Sequence, residues 1–421
     1  MKKHFLMLAL MCVLATTGCS GVSETLSPLS GMSEPKLSEE ELAALRREEQ
    51  LLPLLNEAEN LALGYYYEEA LSILQTVPEE FAEDAAVTAA RSEYTEKMNG
   101  FVPYEEPVRH IFFHSLIVDP ALAFDGDHMS NGYNYWMTTV DEFKAMLREL
   151  YQNNYVLIDI HDLATESMDE NGNKVFTANA PLVPEGKRPL VLSVDDVNYY
   201  EYMKEDGFAR KLLIDENGDV KNLYVDKNGN ELIGDYDVVP ILDSFIKEHP
   251  DFSLRGAKGI IALTGYEGTM GYRTNDTESP TYEQDKLDAK AVADRMKETG
   301  WLFAVHGWGH RSAATISLSH LSQDTARWKE EVGSLVGSTD IYIYPYGEEI
   351  DYPSDKLTYL NEEGYHYFCG VWTKPFVSVK DTYVRQTRCN LDGYNMITRP
   401  GSFEDLFDSS KVLDPNRPEL E

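Results

Sequence analysis

Three apolar segments of this sequence each run into residues that could carry out chemistry. The segment "PLVLSV" ends at the neighbouring carboxylates Asp195 and Asp196, and "LFAV" leads into His306 and His310. Two imidazoles and one carboxylate can hold a metal ion and leave coordination positions open for water, as catalytic zinc sites do. The segment "IYIYPYG" has proline and glycine around Tyr346, so a backbone N–H there can point at an oxyanion. Together these residues indicate hydrolysis assisted by a metal ion.

Each of these pairs also has a simpler explanation. A carboxylate after a strand can cap the following helix, and two histidines four residues apart are common on protein surfaces. The interval between His306 and His310 predicts that both rings lie on one side of a helical turn. Because both pairs follow the ends of strands, a shared site is favoured over two unrelated surface features.

The elements that must position these residues alternate along the chain. From His110 onward, short apolar strands such as "HIFFHSLIV" and "YVLIDI" alternate with amphipathic helices such as "TVDEFKAMLRELYQNN". This alternation predicts a parallel sheet or barrel with helices outside, and such folds carry their chemistry at the carboxyl ends of the strands. One insertion interrupts it: two Asn-Gly pairs within residues 211–233 predict a three-stranded meander, which we expect to wall one edge of the substrate groove.

The three motifs, taken in order, resemble a known enzyme family. "VLSVDD", "HGWGH" and "YPYG" are similar to the motifs of the NodB-type polysaccharide deacetylases, carbohydrate esterase family 4, and the resemblance covers residues 105–400. It implies a distorted (β/α) barrel that removes N-acetyl groups from amino-sugar polymers with a divalent metal. Zn²⁺ is the metal expected first, with Co²⁺, Mn²⁺ or Ni²⁺ as alternatives.

The resemblance also implies a role for each motif residue. Asp195 corresponds to the catalytic base, and Asp196, His306 and His310 correspond to the metal ligands. The backbone N–H of Tyr346 corresponds to the donor that stabilises the tetrahedral oxyanion.

The sequence departs from the family's pattern at several positions. Val197 and Gly307 stand where the family has glycine and a hydroxyl residue, respectively. No Leu-x-His motif follows Tyr383, so the general acid of the family has no assigned counterpart. His114 is a candidate stand-in for that acid or an ordinary structural histidine, and Arg388 is either the arginine that orients the base or a surface arginine.

The N-terminus predicts export from the cytoplasm. Residues 1–18 read as a signal peptide, Cys19 as the lipidated residue of a bacterial lipoprotein, and residues 19–35 as a polar tether. We therefore expect an extracytoplasmic protein that is lipid-anchored to the bacterial cell membrane. The net charge of −35 argues against nucleic acid as a partner.

Residues 36–100 have a helical pattern and resemble one tetratricopeptide-type hairpin. A single unit cannot stack on itself, so a spacer or a brace on the main domain is favoured over a peptide-binding array. The sequence identifies no protein partner for this segment. The deacetylase domain is predicted over residues 101–412, and its two cysteines, Cys369 and Cys389, could pair or remain free.

The favoured function is a metal-dependent hydrolase that removes N-acetyl groups from an extracellular polysaccharide resembling chitin, peptidoglycan or poly-N-acetylglucosamine. One alternative is an O-acetyl esterase of the xylan type, which would use the same machinery. The other is a degenerate barrel that binds glycan without turnover, which the missing acid motif motivates.

Overall fold

A computed structural model describes residues 37–420 of the chain. The predicted signal peptide, the tether and Cys19 lie outside the described residues. Within residues 37–420, no helix combines the length and the apolar character that a membrane crossing requires.

The described chain alternates between strands and helices over most of its length. The strands are β1 (Phe101–Pro103), β2 (Arg109–Phe113), β3 (Tyr155–Leu157), β4 (Ala164–Met168), β5 (Lys174–Ala178), β6 (Leu182–Pro184), β7 (Arg188–Asp195), β8 (Lys211–Ile214), β9 (Val220–Val225), β10 (Glu231–Gly234), β11 (Ile260–Leu263), β12 (Leu302–Val305), β13 (Ile341–Ile343), β14 (Tyr367–Val371), β15 (Val377–Lys380) and β16 (Tyr383–Asn390). The α-helices are α1 (Glu39–Arg46), α2 (Leu52–Leu63), α3 (Tyr67–Gln75), α4 (Ala85–Asn99), α5 (Pro120–Ala123), α6 (Ser130–Trp136), α7 (Val140–Gln152), α8 (Val238–Glu248), α9 (Tyr282–Glu298), α10 (Leu318–Trp328), α11 (Ser334–Val336), α12 (Asp355–Glu362), α13 (Gly393–Thr398) and α14 (Ser409–Val412).

Seven parallel strands close into a barrel. Their order around the ring is β11, β12, β13, β14, β16, β2 and β7, and β7 pairs with β11 to complete it. The closure is distorted because β3 and β11 share one edge of β7: β3 pairs with its first residues and β11 with its last. The predicted (β/α) barrel with a helical segment before it is therefore confirmed.

Residues of β7 alternate between two environments, as the two-residue period of a strand requires. Leu190, Leu192 and Val194 pack outward in the layer between barrel and helices, and Val191 packs in the interior cluster with residues such as Ile260. Toward the carboxyl end of β7 the alternate positions become polar, with buried Ser193 and Asp195. The barrel interior is therefore apolar at the amino ends of its strands and polar at the end that carries the motifs.

The outer helices form where capping and apolar spacing agree. Thr139 caps the start of helix α7. Its hydroxyl accepts from the backbone N–H of Glu142, and the Glu142 carboxylate accepts from the backbone N–H of Thr139. Its buried face includes Phe143 and Leu150, as the spacing predicts. This face packs in the same cluster as the outward residues of β7.

The N-terminal helices pack against the amino ends of the barrel strands. Tyr65, after α2, donates its hydroxyl to the carbonyl of Asp251 at 2.8 Å, and the backbone N–H of Arg255 donates to the carbonyl of Gly64 at 3.0 Å. Both barrel residues precede β11, and buried Ala58 and Tyr67 belong to the cluster that fills the apolar part of the barrel. The helical segment thus lies at the end of the barrel opposite to Asp195.

Strands β8, β9 and β10 form an antiparallel meander joined by the two Asn-Gly turns. Gly218 and Gly229 have φ values of +80° and +81°, which glycine adopts without strain. The meander is attached to the outside of the barrel, since Arg295 of α9 donates to the Gly218 carbonyl and Lys247 of α8 pairs with Asp219.

The chain after α14 is fixed to the barrel by a buried ion pair. The Arg417 guanidinium donates to both carboxylate oxygens of Glu142, at 2.8 and 2.6 Å, and both side chains are almost fully buried. It also donates to the carbonyls of Asn134 and Met137, at the end of α6. The last described residues therefore hold α6 against α7.

We predict that Arg417→Met destabilises the protein by about 3–5 kcal/mol, because it leaves the Glu142 carboxylate buried without its cation. Urea unfolding of the variant measures this loss. Lys411→Met is the matched control, since the Lys411 side chain is 62% exposed and lies 3.8 Å from Glu149, so its loss should cost within about 0.5 kcal/mol. Equal effects of the two substitutions would show that the buried pair does not stabilise this end of the chain.

Candidate active site

A left-handed backbone conformation brings two neighbouring carboxylates to one site. Successive side chains of a regular strand point to opposite faces, so Asp195 and Asp196 would diverge if β7 continued. Asp196 instead has φ +57°, and its N–H donates to the carbonyl of Ala262 on β11 at 3.1 Å. As a result Asp195 Oδ2 lies 3.9 Å from His306 Nε2, and Asp196 Oδ2 lies 3.7 Å from His310 Nε2.

His306 follows β12 directly and is buried, and its Nδ1 donates to the carbonyl of Ile343 at 2.9 Å. Burial lowers the pKa of His306, so the ring is neutral and its Nε2 lone pair faces the two aspartates. The hydrogen bond to Ile343 fixes this orientation, as the outer partner of a metal-binding histidine commonly does.

A tight turn, and not a helical turn, brings His310 beside His306, so that part of the sequence prediction is wrong. Gly307 and His310 have φ values of +65° and +49°, and the two imidazole centroids are 5.0 Å apart. Asp324 holds the turn by accepting from the backbone N–H groups of Trp308 and Gly309. Glycine suits position 307 because another residue would be strained at that φ and would bring its Cβ within 3.2 Å of Asp324 Oδ2.

The three residues predicted as metal ligands converge. One oxygen of Asp196 and one nitrogen each of His306 and His310 all lie within 4.8 Å of one another. A carboxylate oxygen with two imidazole nitrogens is a donor set that suits Zn²⁺ and related divalent ions. The residues present therefore fit a single divalent cation.

Tyr200 holds the second oxygen of Asp196 and was missed by the sequence analysis. Its hydroxyl donates to Asp196 Oδ1 at 2.6 Å and lies 2.9 Å from Thr264 Oγ1. The Tyr200 ring is stacked between those of Tyr202 and Tyr266, with centroid distances of 5.5 and 5.2 Å. Asp196 Oδ1 is thus satisfied by a fixed donor, and Oδ2 remains free toward His310.

Asp195 is held by an arginine from a distant part of the chain. Arg388 of β16 is fully buried, donates to Asp195 Oδ1 at 2.6 Å and to Ser193 Oγ at 3.1 Å, and lies over the Phe112 ring. Burial alone would raise the pKa of Asp195, but the positive charge of Arg388 and the hydrogen bond that Arg388 donates outweigh burial and lower the pKa to about 2. Arg388 is therefore not a surface residue, which was one of its two interpretations from sequence.

A column of neutral polar groups lies beneath this pair. Ser193 Oγ is 2.9 Å from His110 Nε2, and His110 Nδ1 is 2.9 Å from Gln386 Oε1. Because the Gln386 amide oxygen can only accept, His110 carries its proton on Nδ1 and accepts at Nε2 from the Ser193 hydroxyl. Burial, with the charge of Arg388, lowers the pKa of His110 to about 3, so the ring stays neutral. The sequence could have indicated part of this column, because His110 and Ser193 are polar residues within largely apolar strands.

Tyr346 and His114, the other predicted site residues, both border the same cavity. Tyr346 follows β13 with φ +60°, and its N–H donates to no residue within the described range. Its ring meets that of His310 edge-on at 4.5 Å. His114 follows β2, and its Nδ1 is buried with no hydrogen-bond partner among the residues that the structure describes.

The cavity has a volume of about 770 Å³ and opens at the carboxyl ends of the strands. Its lining includes Asp195, Asp196, His306 and His310, and it continues away from them toward Trp136, Trp372 and Tyr394. The expectation that the meander walls this groove is wrong: none of the described residues that line the cavity belongs to 211–234, because α8 and α9 hold the meander outside the barrel.

The two cysteines of the barrel are both free and buried. Cys389 borders the cavity, and Cys369 of β14 packs in the barrel interior. Burial raises the pKa of each thiol to about 12, so neither is ionised at neutral pH.

One family model matches part of the barrel. Residues 269–368 match the family model for polysaccharide deacetylase, a stretch that includes His306, His310 and Tyr346 and begins after Asp196. The match confirms the resemblance that the motifs predicted. No curated protein matches the chain.

Two solved structures are similar at low identity. One is the Streptococcus pyogenes deacetylase PplD in complex with acetate, at 12% identity and a TM-score of 0.39, over 70% of this chain and 98% of that one. The other is a Mycobacterium smegmatis protein described as a polysaccharide deacetylase, at 16% identity and a TM-score of 0.24, over 36% of this chain and 44% of that one. With TM-scores this low, neither structure assigns a residue or a substrate here.

We predict that Tyr200→Phe weakens zinc binding by about 10- to 100-fold, because it removes the hydroxyl that orients Asp196 while keeping the stacked ring. Competition with a chromophoric chelator measures the affinity directly. Tyr202→Phe is the matched control. It also removes one tyrosine hydroxyl from the same ring stack, but the hydroxyl that donates to Asp196 Oδ1 is that of Tyr200. An unchanged affinity in Tyr200→Phe would mean that Asp196 needs no fixed outer partner or is not a ligand.

Proposed function

We propose that this chain is a metal-dependent enzyme that removes N-acetyl groups from an extracellular amino-sugar polysaccharide. The match to the polysaccharide deacetylase family model supports a hydrolytic deacetylase. The polymer would be of the chitin, peptidoglycan or poly-N-acetylglucosamine kind. The observation that carries the proposal is the convergence of Asp196, His306 and His310 beside a second carboxylate, Asp195, that is held separately. A site that only bound glycan would have no use for that second carboxylate.

Asp196, His306 and His310 would hold the cation, and their donor set suits Zn²⁺. When bound there, a divalent cation supplies Lewis acidity toward the acetyl carbonyl and toward the attacking water. The ion pair with Arg388 leaves Asp195 Oδ2 as the oxygen that faces the mouth of the barrel. In this proposal Asp195 is the general base, and it takes a proton from the water as that water adds to the acetyl carbon.

The oxyanion that forms on the acetyl group needs hydrogen-bond donors. The N–H of Tyr346 is unpaired within the described chain and lies in a fixed turn, which supports its role as one such donor. Collapse of the tetrahedral species then breaks the C–N bond, and acetate and the free amino sugar are the products.

The leaving amine must receive a proton as that bond breaks. His114 borders the cavity, and in the ring order its strand β2 lies beside β7, which carries Asp195. We assign His114 as the proton donor, acting from Nε2, because its Nδ1 is sealed in the protein.

The cellular setting rests on the sequence alone. Residues 1–18 as a signal peptide and Cys19 as a lipidated residue would place the enzyme outside the cytoplasm, anchored in the bacterial cell membrane.

The proposal is tested by acetate release from chitin oligomers, peptidoglycan and O-acetylated xylan, each with added zinc and with a chelator. We expect zinc-dependent release from an N-acetylated polymer. Release from xylan alone would replace the proposal with an O-acetyl esterase, and release from none would favour a glycan-binding barrel without turnover.

The two neighbouring aspartates should respond differently to amidation. Asp196→Asn replaces a charged oxygen donor, so zinc content and turnover should fall together. Asp195→Asn should keep zinc while turnover falls by about 10²- to 10⁴-fold, because it removes the proton acceptor and leaves the three metal ligands in place. Zinc analysis and acetate assays on both variants decide the roles. Loss of zinc from Asp195→Asn but not from Asp196→Asn would reverse them.

We predict that His114→Gln slows release from N-acetyl substrates by about 10²- to 10⁴-fold, since the amine leaves poorly without a proton. An O-acetyl ester of the same sugar should be affected less, because an alcohol is a better leaving group. Parallel assays on the two substrates, with zinc content as the control, measure the difference. Equal losses on amide and ester would remove His114 from the role of acid.

A further inference from the structure

We infer that the aromatic part of the cavity is a binding subsite for a neighbouring sugar ring of the polymer, formed by a crescent of aromatic residues that begins beside His310 and extends away from the metal ligands. The crescent consists of Tyr346, Trp372, Tyr394 and Trp136. The inference rests on the proposed function for the identity of the polymer, and it adds where the polymer lies and what holds it.

The strand order separates the barrel rim into two arcs. Asp196 follows β7, and His306 and His310 follow β12, so the predicted ligands lie on the arc β7, β11 and β12. The crescent residues follow the remaining strands in ring order: Tyr346 after β13, Trp372 after β14, Tyr394 after β16 and Trp136 after β2. All four border the same cavity as the ligands. One wall of the cavity is therefore built for an ion and the other wall is aromatic.

The aromatic wall is exposed to an unusual degree. Tyr346 is 67% exposed, Trp372 61% and Trp136 50%. In the described chain only Tyr202 and Phe376 are other aromatic side chains with comparable exposure, so three of five lie on this one cavity. A concentration of exposed apolar surface in a protein of net charge −35 marks a place where another molecule binds.

The part of the crescent formed by Trp136 and Tyr394 is held in place by packing. The rings of Trp136 and Tyr394 are 5.8 Å apart, and Tyr135 meets both of them edge-on. Arg417 fixes the end of α6 through the carbonyls of Asn134 and Met137. At the start of α13, a Cβ on Gly393 would lie 2.2 Å from the same guanidinium, so α13 and α6 are packed closely around it. A preformed surface of this kind loses little entropy when it binds a ligand.

The chemistry of the wall suits a pyranose ring. Aromatic faces pack on the apolar C–H face of a sugar, and the hydroxyl groups at the sugar edge need polar partners. Asn395 and Arg399 provide such partners beside Tyr394, with the Arg399 guanidinium 5.8 Å from the Tyr394 ring centre. The crescent continues from Tyr346, beside His310, along the rim of the same cavity, so an acetyl group at the ligands leaves the part of the crescent beyond Tyr346 for the next sugar. Affinity should therefore rise with chain length.

The test measures binding of N-acetylglucosamine and its β-1,4-linked oligomers, up to the tetramer, to the zinc-loaded and metal-free protein by titration calorimetry. We expect the tetramer to bind more tightly than the monomer in both forms. Trp372→Ala and Trp136→Ala should each weaken tetramer binding by about 10-fold or more, as loss of a central aromatic contact does, and leave zinc affinity unchanged. Phe376→Ala is the matched control, an exposed aromatic residue of the loop that contains Trp372 but outside the cavity lining.

The outcomes separate this inference from the proposed function. Tetramer binding that depends on the tryptophans, without acetate release from any polymer, would support the subsite and overturn the deacetylase mechanism. Acetate release together with tetramer binding that the tryptophan substitutions do not change would overturn the subsite alone. The subsite is also overturned if binding does not depend on chain length, or if no oligomer binds.

Discussion

The candidate site depends on one backbone conformation, the left-handed φ of Asp196. Without it, the two carboxylates after β7 would point to opposite sides of the strand, and only one could reach the barrel mouth. A left-handed conformation costs a residue other than glycine about 1–2 kcal/mol, so it persists only where surrounding contacts fix it. Here the N–H of Asp196 is bound to β11, and its side chain to Tyr200. Strain of this kind concentrates at functional sites.

The same bend gives the two aspartates different electrostatic environments. Asp195 remains in the barrel interior, where a fully buried arginine compensates its charge, and neither group would be stable there without the other. Asp196 lies at the edge of the interior, where its Oδ1 accepts from the Tyr200 hydroxyl and its Oδ2 lies 3.7 Å from His310 Nε2. Adjacent residues of one chemical type are thereby set up for different tasks, one for proton transfer and one for binding a cation.

The sequence was sufficient to predict what depends on local pattern. Strand and helix periodicity indicated the barrel, and the positions of polar residues after strands indicated which side chains meet at its mouth. It could not show that Arg388 reaches Asp195, because 193 positions separate them and only the pairing of β16 with β2, and of β2 with β7, brings them together. The turn at His310 and the outward position of the meander also depend on distant groups, Asp324 in the first case and helices α8 and α9 in the second.

The barrel interior explains why the site can be both charged and stable. The half of the interior at the amino ends of the strands is apolar, and the N-terminal helices pack across it. This packing separates the charged pair from solvent at that end of the barrel. Above this half of the interior, Gln386, His110 and Ser193 form a neutral hydrogen-bonded column that ends at Arg388, so the polar groups that approach the apolar half have partners. The charged pair of Asp195 and Arg388 therefore lies in the last layer before the mouth, where Asp195 is ionised without a full solvent shell. A carboxylate fixed in this way needs little reorganisation when it takes a proton, which is the condition that electrostatic preorganisation requires.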